Sequence, residues 1–422
     1  MVAQPANDLA AHASFSSVDP RSCSSVELTY EIFTSFAHAE SFYQAWDALV
    51  RRISGSLFQS PDWIRLWWTH YGQGRALRLM VFRVRGELVG LVPLCIEQIG
   101  FWPLNLRVAR LLSSDSTIAI CDPPVDLAWA REIYQVCFRL MLQEERCDAV
   151  HLGPISASYP CIEGLRSACQ SLQSMAVVCR DHQQSEHMTF DLTPGFTAVM
   201  QGLSNNQRSN YRRNLNNLAR HFRFSVNVVK GGDEAEAEFE NFMTMHRLQW
   251  QAVNRLGHFG DWPGSSEFHR DVVRIYARAH ALRLVRLMAD DAVVAYYYCI
   301  EFGGAYYWLL PARKVGENWD RFGLGRVGLL KMLEEAASEP ARSVEAGPGR
   351  YKYKEQLNGV ARPIVSMFVA ANRPGARARS RVAVLIAQVL HELYYRQWFL
   401  KLAPQLPLAR RPLHRWWIRT RF

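Results

Sequence analysis

Two stretches half a chain apart repeat one another. Leu77–Glu97, "LRLMVFRVRGELVGLVPLCIE", and Leu282–Glu301, "LRLVRLMADDAVVAYYYCIE", share their start, their end and a polar turn in the middle. Each is a pair of β-rich runs about a turn, Arg85-Gly86-Glu87 in one and Asp290-Asp291 in the other, which is a hairpin pattern. Each also follows a helical segment. "SPDWIRLWWTHYG" offers Ser60 as an N-cap and Pro61 at the first helical position, with Trp63, Leu66, Trp67 and Tyr71 on one face. "SEFHRDVVRIYARAHA" stands before the second hairpin in the same way. An α–β–β unit recurring at this separation predicts a duplicated domain, and 422 residues exceed what one ordinary core holds. The expected class is α/β (α+β): two tandem domains, each a mixed sheet flanked by helices. Residues 1–25 read as a disordered leader, 26–190 and 191–375 as the two domains, and 376–422 as a basic amphipathic tail.

With 49% hydrophobic and 12% aromatic residues, the chain has the makings of a packed protein. Its apolar runs fall short of a membrane span. The N-terminus has neither a basic n-region nor an apolar h-region, so it reads as a leader and not a signal peptide. Nine cysteines with no CxxC spacing predict free thiols, no disulfide framework and no metal site. The net charge of +10 is local: from Arg373 onward stand eleven Lys or Arg against one acid, Glu392, which leaves the rest neutral. A neutral body with one basic end argues against a general nucleic-acid binder. The tail closes with Trp416 and Trp417 among arginines, a pattern suited to an anionic membrane surface. It equally suits a terminal helix docked on the second domain.

Between the hairpins, Ser204 opens a helix bearing Arg208, Arg212, Arg213 and Arg220. A second helix carries His246 in a stripe of Phe239, Phe242, Met243 and Trp250, so His246 is by pattern a core residue and by type a candidate catalyst. Then "NWDRFGLGRVGLLKMLEEA" places Gly323 and Gly325, flanked by Arg321 and Arg326, at the opening of a helix. Such a loop offers backbone N–H groups and a positive dipole end to phosphate, or is simply a tight connection. Last, "SVEAGPGRYKYKEQLNG" follows a β-like run with Tyr351, Lys352, Tyr353 and Lys354, read as extended and exposed. Two lysines among aromatics suit an anion; they equally suit a solvated edge strand.

The stretches "FQSPDWIRLWWTHYG", "LVGLVPL" and "MHRLQWQAVNRLGHF", with the closing glycine–tyrosine–lysine segment, resemble the CelD/BcsL-type GNAT acetyltransferases. The layout is also similar to the Fem-type (FemABX) peptidyltransferases, whose closing motif is matched at Gly349, Tyr351, Lys354 and Gly359. The Fem basic segment is matched by "SNNQRSNYRRNL". The resemblance spans about Phe58 to Gly359. It implies two GNAT-like domains and acyl transfer in cell-envelope or exopolysaccharide metabolism. The donor it implies is acyl-CoA, with no tightly bound cofactor, and the acceptor an envelope sugar or a lipid-linked group. Aminoacyl-tRNA, the Fem donor, is the one nucleic acid it admits, and a non-catalytic subunit of a polysaccharide synthase is the competing class. From its own residues the chain reads as cytoplasmic, with the tail as the expected peripheral contact at the inner membrane. In a GNAT-like domain donor and acceptor meet where the central strands splay. On this reading Glu345 is the candidate base, Lys354 stabilises developing negative charge, and Tyr351 orients the acceptor or protonates the leaving thiolate. His246 is a further catalytic candidate; Arg321, Gly323, Gly325 and Arg326 hold the donor, and Lys352, Arg212 and Arg213 the substrate. The family's acidic stretch is replaced here by "VEAGPGRYK", with Gly349-Arg350 where an acid pair would stand.

Overall fold

The computed structural model describes residues 11–15, 27–100, 104–114, 119–172, 176–232, 234–406 and 413–422, by backbone alone over 11–15, 176–184 and 261. The strands, in chain order, are β1 (Ala11–Phe15), β2 (Leu28–Phe33), β3 (Ala76–Val84), β4 (Glu87–Ile99), β5 (Leu106–Leu111) and β6 (Ala149–Ser156). They continue as β7 (Ala176–Asp191), β8 (Phe224–Val229), β9 (Leu282–Ala289), β10 (Ala292–Phe302), β11 (Ala305–Arg313), β12 (Ser343–Pro348) and β13 (Val360–Ala371). The chain folds as two compact units, one from Met1–Gln184, Ile364–Arg396 and Arg411–Phe422, the other from Ser185–Pro363 and Gln397–Arg410.

In the first unit the strand order is β1-β2-β3-β4-β5-β6-β13, antiparallel except for the parallel pair β5–β6. In the second it is β7-β12-β11-β10-β9-β8, antiparallel except for the parallel pair β11–β12. Each is a mixed sheet, and each has the expected hairpin: β3–β4 turns at Arg85-Gly86 and β9–β10 at Asp290, all three with positive φ. The helix before the first hairpin is α1 (Pro61–Tyr71), capped by Ser60, which accepts from Trp63 N–H. Since a parallel pair needs a crossover, β5 reaches β6 through α2 (Ala130–Arg139).

In the second unit α3 (Asn205–His221) precedes β8, and α4 (Glu234–Gln251) and α5 (Ser265–Arg278) lead to β9. The crossover from β11 to β12 is α6 (Leu324–Ser338), followed by the single turn α7 (Lys352–Glu355). Period-two alternation divides the sheet's two faces. Tyr297, Trp308, Val344 and Ala346 form one core with Val327, Leu330 and Leu333 of α6. Tyr298 points the other way, edge-on to Phe239 and tilted against Phe242 of α4.

Several expectations are corrected. Within the leader, Ala11–Phe15 are not disordered but pair antiparallel with β2; the rest of 1–25 lies outside the described residues. Lys352–Lys354 are not extended, because α7 winds them into a helical turn that the extended Tyr351 opens as N-cap. The start of the tail joins the first unit, where docking on the second domain was one of the two expectations. Its α8 (Pro374–Val389) belongs to the first unit, held by two hydrogen bonds from the Arg379 guanidinium to the buried Asp148 carboxylate, 2.9 and 2.6 Å. Nor are the terminal tryptophans alike. Trp417 of α9 (His414–Arg419) is buried and stacked on Tyr395 at 3.8 Å, whereas Trp416 is exposed.

Candidate active site

The loop that opens α6 leaves the first turn of the helix without a side-chain cap. Gly323 is its N-cap, at φ +60° and ψ +38°, with no side chain capping the free N–H groups and no acid in the first turn. The left-handed backbone favours glycine here, and a Cβ would fall 2.2 Å from Asn214 Nδ2 of α3, so that amide would have to shift. The uncapped first turn and the helix dipole favour negative charge. Tyr297 O–H donates to Gly325 O at 2.8 Å and so holds the first turn in place. Arg326 Nη2 reaches Gln356 Oε1 at 3.4 Å, tying the loop to the segment that carries Lys354. Arg321 lies exposed with its guanidinium 4.8 Å above the Phe322 ring.

Strands β11 and β12 pair only from Ala305–Tyr307 with Ser343–Glu345. Beyond that point each runs on without the other, β11 to Arg313 and β12 to Pro348. Gly347, at φ +69°, bends β12 inside the irregularity between Glu345 and Pro348. The chain then doubles back through Tyr351 into α7, and Lys354 returns to the opened strand. Its Nζ donates to Ala346 O at 2.6 Å and lies 5.1 Å from the ring centres of both Trp308 and Tyr351. Expected as an exposed residue, Lys354 is 4% exposed. Burial, which penalises its charged form, lowers the ammonium to a pKa of about 8. Tyr351 is 54% exposed and stacks with Tyr353. Lys352 is exposed, so the turn separates two lysines that an extended chain would have aligned.

The remaining candidates stand elsewhere. Alternation sets Glu345 on the face of β12 away from Val344 and Ala346, beside Thr189, its partner on β7. Its Oε1 accepts from Ser343 Oγ at 3.4 Å, and burial raises its pKa against the opposing effects of that bond and of Arg362. The His187 ring is 3.8 Å away, but burial lowers that imidazole to about 4, so the contact is not an ion pair at neutral pH. His246 is a core residue. Its Nδ1 meets Pro311 O at 2.8 Å and its Nε2 accepts from His258 N–H at 3.2 Å, and burial lowers it to about 4. With both nitrogens engaged by backbone it has none left for proton transfer. Arg212 and Arg213 are exposed on α3, the latter bonded to Asn210.

The first unit repeats the sequence of this strand without the lysine that follows it. Val150-His151-Leu152-Gly153-Pro154 on β6 mirrors Val344-Glu345-Ala346-Gly347-Pro348 on β12. Both join their parallel neighbour through three pairs, Val108–Arg110 with Ala149–His151 in the first unit. Counting on from the glycine, Pro160 stands where Lys354 does. The turn leading into α2 is capped by its own acid, as Ala128 N–H donates to Asp126 Oδ1, and Glu132 sits in the first turn of α2. The V-x-x-G-P repeat was present in the sequence and would have located the bent strand. Another unused signal is Tyr296-Tyr297-Tyr298, which replaces Val92-Pro93-Leu94 of the first hairpin. Asn214 and Gln356 had no such signal.

Residues 205–355 match the model of an acetyltransferase (GNAT) domain, a span that runs from α3 through Lys354. Among solved structures, that of FemX aligns with a TM-score of 0.56 at 11% identity, over 79% of this chain and 96% of that one. The C-terminal domain of a putative lysylphosphatidylglycerol synthetase from Agrobacterium fabrum aligns at 0.46 and 14% identity, over 83% and 96%. A tandem GNAT protein from the clavulanic acid biosynthesis pathway aligns at 0.42 and 14% identity, over 82% and 99%. No curated protein matches the sequence. At its identity the FemX likeness shows the fold, and the domain match adds the reaction class. The chain therefore carries a GNAT acetyltransferase domain over residues 205–355 and is an acyltransferase of that type.

Proposed function

We propose that the protein moves an acyl group from acyl-CoA to an amine or hydroxyl of a cell-envelope or exopolysaccharide acceptor, as a CelD/BcsL-type transferase. The observation that carries this reading is Lys354, a buried ammonium held at the point where β11 and β12 part, beside a helix that opens on an uncapped glycine. The phosphates of the donor meet the first turn of α6, with Arg321 and Arg326 beside it. The acceptor nitrogen or oxygen attacks the thioester carbonyl and the C–S bond breaks. The acceptor's proton passes to the departing thiolate through a side chain or water. Such direct transfer asks for positioning and charge stabilisation more than for covalent help. Lys354 supplies the charge, and Tyr351, whose ring lies beside its ammonium, orients the acceptor or hands on the proton. Glu345, on the other face of β12, steadies that strand instead of serving as the base.

A second donor is supported by α3. The helix carries Arg208, Arg212, Arg213 and Arg220 with no acid, and its Asn214 touches the α6 loop. An aminoacyl-tRNA would lay its backbone along such a surface. The deciding experiment titrates the full chain with acetyl-CoA, with longer acyl-CoAs and with aminoacyl-tRNA, and then follows thiol or tRNA release with amine and sugar acceptors. Saturable acyl-CoA binding with acceptor-dependent thiol release is the expected result. Binding of neither donor would overturn the reading in favour of a non-catalytic subunit.

A further inference from the structure

The positive charge of the tail and a run of exposed apolar side chains fall on the same element. Leu385, Ile386, Val389 and Leu393 lie along α8 and its helical continuation, Leu385 60% and Leu393 64% exposed. Spaced four apart, positions 385, 389 and 393 form one stripe. The stripe cannot be relieved by rolling the helix inward, because the opposite face is already committed. Ala376 and Ser380 are buried there, Arg379 is bonded to Asp148, and Ala383 and Val384 pack on the cluster of Ile99, Leu106, Val108 and Phe368.

We propose that this stripe docks on an anionic lipid surface. Arg381 is exposed beside it, and at its far end Arg396 bonds Glu392, the only acid in the tail, at 3.1 Å. An apolar stripe edged by cations and almost free of acids matches an interfacial helix, whose side chains enter the acyl boundary while arginines meet headgroup phosphates. A second copy of the chain is the competing occupant, which the test separates by its oligomeric state. The surface also differs from the one the terminal Trp-Trp pair implies, because Trp417 is buried. The proposal goes beyond the acyl-transfer reading and does not depend on it, since binding is measured with no donor or acceptor present.

The test is co-sedimentation of the full chain with vesicles of phosphatidylcholine, alone or with roughly one third phosphatidylglycerol. The intact chain should bind the anionic vesicles, leave the neutral ones, and be released by raised salt. The double variant Leu385→Glu, Leu393→Glu should bind at least about tenfold more weakly, and Arg381→Glu about fivefold. Both change exposed side chains, and an unaltered thermal transition checks that they fold. If the double variant does not fold, Val389→Cys carrying an environment-sensitive dye replaces it, with a blue shift expected on anionic vesicles only. Equal binding to neutral vesicles, no binding by the intact chain, or an unshifted dye would overturn the proposal. So would a concentration-dependent dimer abolished by the double variant, which would assign the stripe to a second copy.

Discussion

Both units carry a strand with the same Val-to-Pro spacing, Val150 to Pro154 in one and Val344 to Pro348 in the other, and both pair it in parallel through three residues. Past the proline the two chains diverge. The second unit turns through Gly349 and Tyr351 and brings Lys354 back to the strand's open carbonyl at Ala346. The first unit continues through Ser158 and Tyr159 to Pro160, and the Tyr159 hydroxyl donates to Pro123 O at 2.7 Å. The crossover helices also differ: α6 opens on a bare glycine with no acid in its first turn, whereas α2 follows a turn capped by Asp126 and carries Glu132 in its first turn. Two units with the same strand pairing thus carry different side chains at corresponding positions, Lys354 in one and Pro160 in the other. The difference lies in a few side chains, because strand pairing specifies the backbone path while only side chains supply charge.

The largest effect expected from that contrast is at Lys354. Lys354→Ala should lower turnover by roughly a hundredfold, the scale of losing one preorganised charge-stabilising donor. Restoring activity in the Lys354→Ala, Pro160→Lys double variant would break the comparison, since it would make the first unit an equal host. Next comes Gly323→Val, which strains the left-handed cap and collides with Asn214. Its donor dissociation constant should rise about tenfold or more, or about 1.4 kcal/mol, by calorimetric titration. Unchanged donor affinity would reduce the glycine to a connector.

The pH dependence sharpens the contrast, because the first unit has no lysine at the matching position. With burial lowering Lys354 to about 8, the charged form dominates below that pH, so turnover should fall as pH rises through about 8. A rate rising through the same pH would make Lys354 a base instead. Stability has its own sign. Between about 8 and the ordinary lysine value the unfolded chain holds a proton that the folded chain has lost, so wild type should gain stability with pH across that window. The gain should be absent in Lys354→Met, compared by denaturant unfolding. The smallest effect is in the first unit: Asp126→Ala removes a cap and should cost about 1 kcal/mol. It should leave donor affinity untouched, and a tighter donor in this variant would mean that the acids had been excluding a second donor.

Periodicity sufficed for the hairpins and the helix before each, since alternation and capping are local rules that Ser60, Pro61 and the paired turns obey without help. The glycine-opened helix was legible for the same reason. The closing segment was legible as a cluster but not as a shape: four residues of alternating tyrosine and lysine fit a strand, yet Lys354 N–H closes on Tyr351 O and makes a turn. His246 shows the limit of residue type, because a histidine in an apolar stripe titrates only if its nitrogens are free, and both are held by backbone 65 and 12 residues away in the chain.

Sequence alone was enough for the duplication, the α/β class, the concentration of positive charge in the tail and the loop before α6, because each depends on near neighbours or on simple counting. Tertiary structure decided which residues meet. It put Glu345 and Lys354 on different sides of β12, buried a lysine that composition would leave in water, and stacked Trp417 on Tyr395. It also left the 385–393 stripe exposed. Those outcomes turn on strand register, on one bend at Gly347 and on which helix face is already occupied. All three are set by contacts between residues far apart in the chain, where local pattern carries no information.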